Sequence, residues 1–246
     1  FSTGRDEAAR HLLQAVQESI YSGEIKAKIS FVFSNREPGE SKESDLFFQL
    51  VHSYNLPLIY LSHKKFKTAN GTKDWRIKYD RAVMSKIEKF SPDLCVLAGY
   101  MLIVGEEMCQ QYNMINLHPA PPGGPKGSWQ EVIWQLIENK SDKAGAMMHL
   151  VTPKLDEGPV VAYCLFSIVD EPFKEYWQKG DKQKLFHLIR QHELVREFPL
   201  IISTLKAFSE KQIGIKDGRV VDDKGKFIEG YDLSDTVNQA TPAILK

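Results

Sequence analysis

Short apolar runs alternate with amphipathic stretches along most of the chain, and the two periods predict strands and helices in turn. Leu12, Leu13, Val16 and Ile20 recur at three- and four-residue spacing and predict a first helix. An α/β unit opens with a strand, so a first strand is expected ahead of that helix, missing before residue 1. Residues 28–33 predict a buried strand, 44–54 a helix and 58–61 a short strand, with the polar stretch up to Gly71 read as a loop. The spacing of Ile77, Ala82, Val83 and Ile87 predicts a helix over 75–90.

Residues 92–99 are continuously apolar around Leu94-Cys95-Val96-Leu97, as in a parallel strand covered on both faces. Further strands are predicted at 114–117, 146–152 and 160–169, and a long helix at 181–206 carrying Leu185, Leu188, Ile189, Leu194, Leu200, Ile201 and Leu205. Asp217-Gly218 and Asp223-Lys224-Gly225 are turn signals for a small β appendage. The pattern implies an α/β fold with a mostly parallel, doubly wound sheet over 1–209 and a short extension over 210–246. In such a sheet ligands bind beyond the carboxyl ends of the strands. The polar run 37–45 reads as a mobile loop.

Composition narrows the function classes. With 32 Lys plus Arg against 32 Asp plus Glu, the chain lacks the summed basic field of a bulk nucleic-acid binder. No apolar run approaches the ~20 residues of a membrane span, so a cytoplasmic protein is expected. Cys95, Cys109 and Cys164 have no CxxC spacing, and neither a disulfide framework nor a metal site is expected.

Three signatures fail. In 123–128 the order Gly-Gly-Pro-Lys-Gly-Ser is wrong for a phosphate loop, which needs Lys directly before the hydroxyl residue. His192-Glu193 opens like a zinc-protease helix, but Arg196 stands where the second ligand would be. There is no GxGxxG after a strand. Two stretches remain. Asn116-Leu117-His118-Pro119 puts a carboxamide and an imidazole on one face at a strand end. Leu155-Asp156-Glu157-Gly158-Pro159 adds a carboxylate from a loop between strands. Together such groups suit acyl transfer, with N–H donors stabilising an oxyanion and the carboxylate helping to move a proton.

In order and spacing, Val96-Leu97-Ala98-Gly99-Tyr100-Met101, Ile115-Asn116-Leu117-His118-Pro119, His149-Leu150-Val151-Thr152 and Leu155-Asp156-Glu157-Gly158-Pro159 resemble the formyltransferase family that uses 10-formyltetrahydrofolate. The resemblance covers roughly residues 1 to 205. It implies a Rossmann-like formyltransferase fold and a catalytic trio of Asn116, His118 and Asp156. The donor folate would lie against Met101, Leu102, Ile103, Val104, Val151 and Thr152. Leu102 stands where the family often has an arginine for a folate carboxylate, and the resemblance offers Arg76 instead. The likeness is to the branch that formylates the amine of 5-phosphoribosylglycinamide, although the phosphate loop is altered to Ser2-Thr3-Gly4-Arg5-Asp6. The resemblance then implies Gly4 and Arg5 at the acceptor phosphate, Glu193 as an acceptor contact, and possible homodimers. An amino-sugar nucleotide acceptor, a formyltetrahydrofolate hydrolase and a non-catalytic folate-binding relative are the competing readings. A methionyl-tRNA formyltransferase is disfavoured because the segment after Ser209 is short and rich in Asp.

Overall fold

The computed structural model describes residues 1–71 and 73–241. Two compact units divide the chain, one formed by 1–116 with 151–157, the other by 117–150 with 158–246.

The first unit runs α1 (Glu7–Tyr21), β1 (Val32–Ser34), α2 (Lys42–Ser53), β2 (Leu58–Tyr60), α3 (His63–Asn70), α4 (Trp75–Ile87), β3 (Cys95–Leu97), α5 (Glu106–Gln111) and into β4 (Met114–His118). β1 pairs with β2 and β3 with β4, both parallel. Between these pairs lie the first residues of the chain. Ser2 bridges Ser34 in parallel, the Phe1 nitrogen donates to Val96 O, and Ala98 N donates to Phe1 O. Thus the strand position expected ahead of α1 is held by Phe1, Ser2 and Thr3.

β1 is covered on both faces, and Cys95 and Leu97 of β3 are buried on one. On one face Ala9 and Leu13 of α1 and Phe47, Phe48 and Val51 of α2 pack with Val32. Another cluster gathers Phe33, Tyr79, Val83 and Ile87 with Leu97, Met108 and Met114. Burying such side chains contributes about 1.5–3 kcal/mol each.

Two stretches read as loops differ from that reading, and α5 lies where the sequence pattern predicts no element. The stretch read as a loop up to Gly71 contains α3, because Ser62 caps it by accepting Lys65 N at 3.2 Å and Phe66 packs edge-on to Tyr79, ring centres 5.3 Å apart. The polar run 37–45 is a bonded turn leading into α2, with Gly39 N donating to Asp45 Oδ1 at 2.8 Å and Glu37 paired to Lys65. Polarity there reflects caps and ion pairs.

The second unit contains α6 (Trp129–Glu138), β5 (Lys143–Leu150), β6 (Val160–Ser167), α7 (Lys174–Lys179), α8 (Lys182–Ser209), β7 (Ile213–Lys216), β8 (Arg219–Asp222), β9 (Tyr231–Asp232) and α9 (Ser234–Ala240). α6, α7, α9 and β9 lie where the sequence pattern predicts no element. β5 and β6 are antiparallel, and β9 adds to β6 in parallel. A reciprocal capping box between Ser128 and Glu131 starts α6, and Val132, Ile133, Leu136 and Ile137 form its buried face. β7 and β8 form the expected hairpin, with Asp217 and Gly218 both at positive φ as a two-residue turn requires.

On α8 the apolar spacing holds for Leu185, Ile189, Leu200 and Ile201, but Leu194 is 48% exposed while His192, Glu193 and Arg196 are buried. The buried polar residues have specific partners. Arg196 donates to Asn238 Oδ1 at 2.8 Å and lies over the Phe166 ring, and Asn238 in turn donates to Leu165 O. This ties α8, α9 and β6 together.

Candidate active site

Four hydrogen-bonded steps set out the loops at the carboxyl ends of the first unit's strands. Thr3 N donates to Gly99 O at 3.3 Å, placing the Gly4 loop beside the end of β3. Leu97 pairs in register with Asn116. Val151 N donates to Met114 O at 2.8 Å, fastening the loop that carries Val151, Thr152 and Asp156 to β4. Asp80 Oδ2 accepts Gly105 N at 2.7 Å, fixing the far end of the 101–104 segment to α4.

Asn116 is half-buried on β4. Asp156 is half-buried at φ +53° within a tight turn, in which Thr152 Oγ1 donates to Lys154 O and Glu157 N to the same carbonyl. Left-handed backbone is strained for a residue with a Cβ, though Asp tolerates it better than most, and such strain collects at functional sites. In the 101–104 segment Met101 and Ile103 are exposed at 58% and 41%, while Val104 is buried. Leu155 is 63% exposed in the Asp156 loop. Large apolar side chains left in water at loops of this kind suit a flat, apolar ligand face.

Arg76 is exposed, one helical turn before Asp80, with its guanidinium 5.7 Å from the Trp75 ring centre. Desolvation raises the Asp80 pKa, opposed by the Gly105 hydrogen bond and by the Arg76 charge. Gly4 is buried at φ +58° and its amide donates to Ser2 Oγ at 3.0 Å. Arg5 is exposed and pairs with Asp6, the residue that caps α1.

In the second unit His118, which ends β4, is 3% exposed, and its Nε2 lies 3.4 Å from Pro125 O. Sequence reasoning gave no role to the histidine beside it. The His149 ring is edge-on to His118 with centres 6.3 Å apart, and its Nδ1 lies 2.9 Å from Leu150 O. That carbonyl can only accept, so the Nδ1 carries the proton in this contact. Its position near the end of β5 was the available signal.

Glu193 is fully buried on α8. Arg190 lies 3.4 Å from its Oε2 and 2.7 Å from Glu197, and stacks over Trp129. Burial pushes the Glu193 carboxyl up to about 8, and its Oε1 has no hydrogen-bond partner among the described residues.

A family model described as "Formyl transferase" matches residues 7–183. The chain belongs to the formyl transferase family. Among its relatives is the phosphoribosylglycinamide formyltransferase of Escherichia coli, 30% identical over 61% of this chain and 64% of its own length. The enzyme of that name from Haemophilus influenzae is 25% identical over 83% of this chain and 85% of its own. A formyltetrahydrofolate deformylase from the same organism is 26% identical over 61% of this chain and 49% of its own. The solved phosphoribosylglycinamide formyltransferase of Coxiella burnetii superposes with TM-score 0.66 at 22% identity, covering 93% of this chain and 95% of that one. The fold is therefore the Rossmann-like formyltransferase fold.

Proposed function

We propose that this protein transfers a formyl group from 10-formyltetrahydrofolate to the amine of 5-phosphoribosylglycinamide, a step of purine biosynthesis. The observation that carries the reading is the family match over 7–183, which spans the Asn116 and His118 strand and the Asp156 turn.

In this reading the acceptor amine attacks the formyl carbon directly. The carbonyl oxygen takes up negative charge, and Asn116 and His118 stabilise it as hydrogen-bond donors. Asp156, acting through a water, receives the proton that the amine sheds, and that proton passes to the departing folate nitrogen as the C–N bond breaks. The pterin lies against Met101, Leu102, Ile103, Val104, Val151 and Thr152, with Arg76 toward a folate carboxylate. Met101 and Ile103 support this, being apolar and already exposed. Gly4 and Arg5 are assigned to the acceptor phosphate, a placement that helix N-termini favour. Glu193 is assigned to the acceptor side, reached through its partner Arg190. A cytoplasmic location and a homodimer complete the reading.

Deformylase relatives favour a second reading, in which water replaces the amine. Release of deformylated folate from 10-formyl-5,8-dideazafolate, followed by absorbance, separates them. Turnover that requires phosphoribosylglycinamide supports the first reading, and turnover without an acceptor supports the second. Turnover only with an amino-sugar nucleotide moves the acceptor to that class, and no turnover with any of them defeats the enzymatic reading.

A further inference from the structure

The C-terminal extension makes contacts that the proposed chemistry does not use. α9 lies outside residues 7–183, the stretch that the family model matches, yet two of its side chains reach one residue of β6. Leu165 N donates to Ser234 Oγ at 3.0 Å, and Asn238 Nδ2 donates to Leu165 O at 3.0 Å. Just before α9, Leu233 N donates to Tyr163 O at 2.9 Å, continuing the pairing of β9 with β6. A hydroxyl and a carboxamide thus finish the edge of β6 where β9 runs out.

The Asn238 carboxamide also faces α8. Its Oδ1 accepts Arg196 Nε at 2.8 Å, and Arg196 Nη1 donates to His192 O at 2.7 Å, one turn earlier on that helix. Arg196 is 4% exposed, lies 4.4 Å from the Phe166 ring centre and has no carboxylate partner among the described residues. A guanidinium desolvated in this way holds its acceptors strongly, because losing one leaves a buried charged donor unsatisfied.

The turn that Arg196 grips is the one that presents Glu193. Pro199, inside α8, supplies no N–H to Val195 O and its ring crowds that carbonyl, so the backbone ladder alone holds this part of the helix poorly. The Arg196 bond to His192 O spans the turn 192–196, on the N-terminal side of that break. The His192 ring packs against Phe166 and Phe173, with centres 5.8 and 4.7 Å away. Glu193 follows directly in the chain, fully buried and facing Arg190. A close-packed side chain has little freedom of its own, so the direction of the Glu193 carboxyl is set by this turn of backbone.

We propose that Asn238 is a positioning residue for the acceptor: through Arg196 it fixes the turn of α8 that carries Glu193. The inference rests on the assignment of Glu193 to the acceptor side. A latch that only held the extension in place would make Ser234 and Asn238 equivalent, since each satisfies one backbone group of Leu165. Of the two, Asn238 is the one that also holds Arg196.

The test varies phosphoribosylglycinamide at saturating 10-formyl-5,8-dideazafolate, then the donor at saturating acceptor, and records a melting temperature for each protein. Asn238→Ala should raise the acceptor KM about fivefold, with kcat and the donor KM within about twofold of wild type. Arg196→Lys keeps a cation but loses the fork that spans both acceptors, and should raise the acceptor KM in the same way. Asn238→Asp keeps the oxygen that Arg196 needs and gives up the bond to Leu165 O. It should melt a few degrees lower and keep the wild-type acceptor KM. Ser234→Ala should likewise melt lower with the acceptor KM unchanged. A wild-type acceptor KM in Asn238→Ala, or an equal rise in Ser234→Ala, overturns the proposal. Should Asn238→Ala fail to fold, a wild-type acceptor KM in Arg196→Lys overturns it equally. Glu193→Gln separates the two levels of the argument. If it leaves the acceptor KM unchanged, or if the wild type turns over without an acceptor, the acceptor assignment falls and the positioning role with it. If Glu193→Gln raises the acceptor KM and Asn238→Ala does not, the positioning role alone is refuted.

Discussion

Asp80 Oδ2 accepts the amide of Gly105 at 2.7 Å, and a Cβ built at Gly105 would lie 2.8 Å from the same oxygen. The contact is therefore close on both counts, and it closes the segment that presents Met101 and Ile103. Asp80→Ala should leave the Gly105 N–H without its acceptor, costing about 1–3 kcal/mol. Because the damage lies behind the proposed folate surface, the donor KM should rise several-fold while kcat at saturating donor stays close to wild type. Asp80→Asn retains an acceptor oxygen and should restore most of the affinity. Steady-state kinetics with the donor varied is the check, and an effect confined to the acceptor KM would refute this role.

His118→Ala and Asp156→Asn should each lower kcat by roughly 10²–10⁴, the usual range for losing an oxyanion donor or a proton-transfer group. Asp156→Gly, which removes the carboxylate while suiting the φ +53° backbone, should lose turnover equally. Wild-type-like turnover in any of these three would remove the residue from the mechanism.

Most strands were legible because they are short, apolar and bounded by turns, although β1 lies at Val32–Ser34, later than the 28–33 run, and β9 was not read. The end of β4 was legible because alternation alone puts Asn116 and His118 together. α3 was missed for a physical reason. Its sequence is polar, and what holds it is the Ser62 cap and one aromatic contact, Phe66 on Tyr79. α6 left a readable sign, the Ser128-to-Glu131 capping spacing ahead of Val132 and Ile133. The burial of Glu193 could not be read at all. Its ion-pair partner Arg190 lies over Trp129, 64 residues before Glu193 in the chain, and no local pattern reports such a neighbour.

Gly4→Ala should destabilise the fold by about 1–3 kcal/mol. The residue sits at φ +58°, and a Cβ there would lie 2.9 Å from Phe47 Cδ1, inside the cluster that joins α1 and α2. The same change displaces the loop assigned to the acceptor phosphate, so the acceptor KM should rise more than the donor KM. Chemical denaturation and two-substrate kinetics test both parts. A variant as stable as wild type would show that the loop moves away from Phe47 at little cost.

Stability should fall as pH rises from about 6.5 to 8, and Glu193 is the main cause. Burial raises its pKa to about 8 from the ordinary 4.5, so between those values the folded state holds a proton that the unfolded state has released. Folding is then favoured at low pH and loses that advantage as pH climbs toward 8. Glu197, also pushed up by burial, acts in the same direction. His192 opposes them at lower pH. Its pKa is lowered to about 4 from 6.5 by burial between Phe166 and Phe173 and by the Arg196 charge, so protonating the unfolded state costs stability as pH drops below 6.5. The two effects offset each other from about 4.5 to 6.5, leaving the carboxyls to set the slope above. Glu193→Gln keeps the shape and the hydrogen-bonding capacity but removes the titration, and should flatten the melting temperature between pH 6.5 and 8. Melts of wild type and variant at several pH values decide the point. An equal decline in both would place the titrating group elsewhere than Glu193.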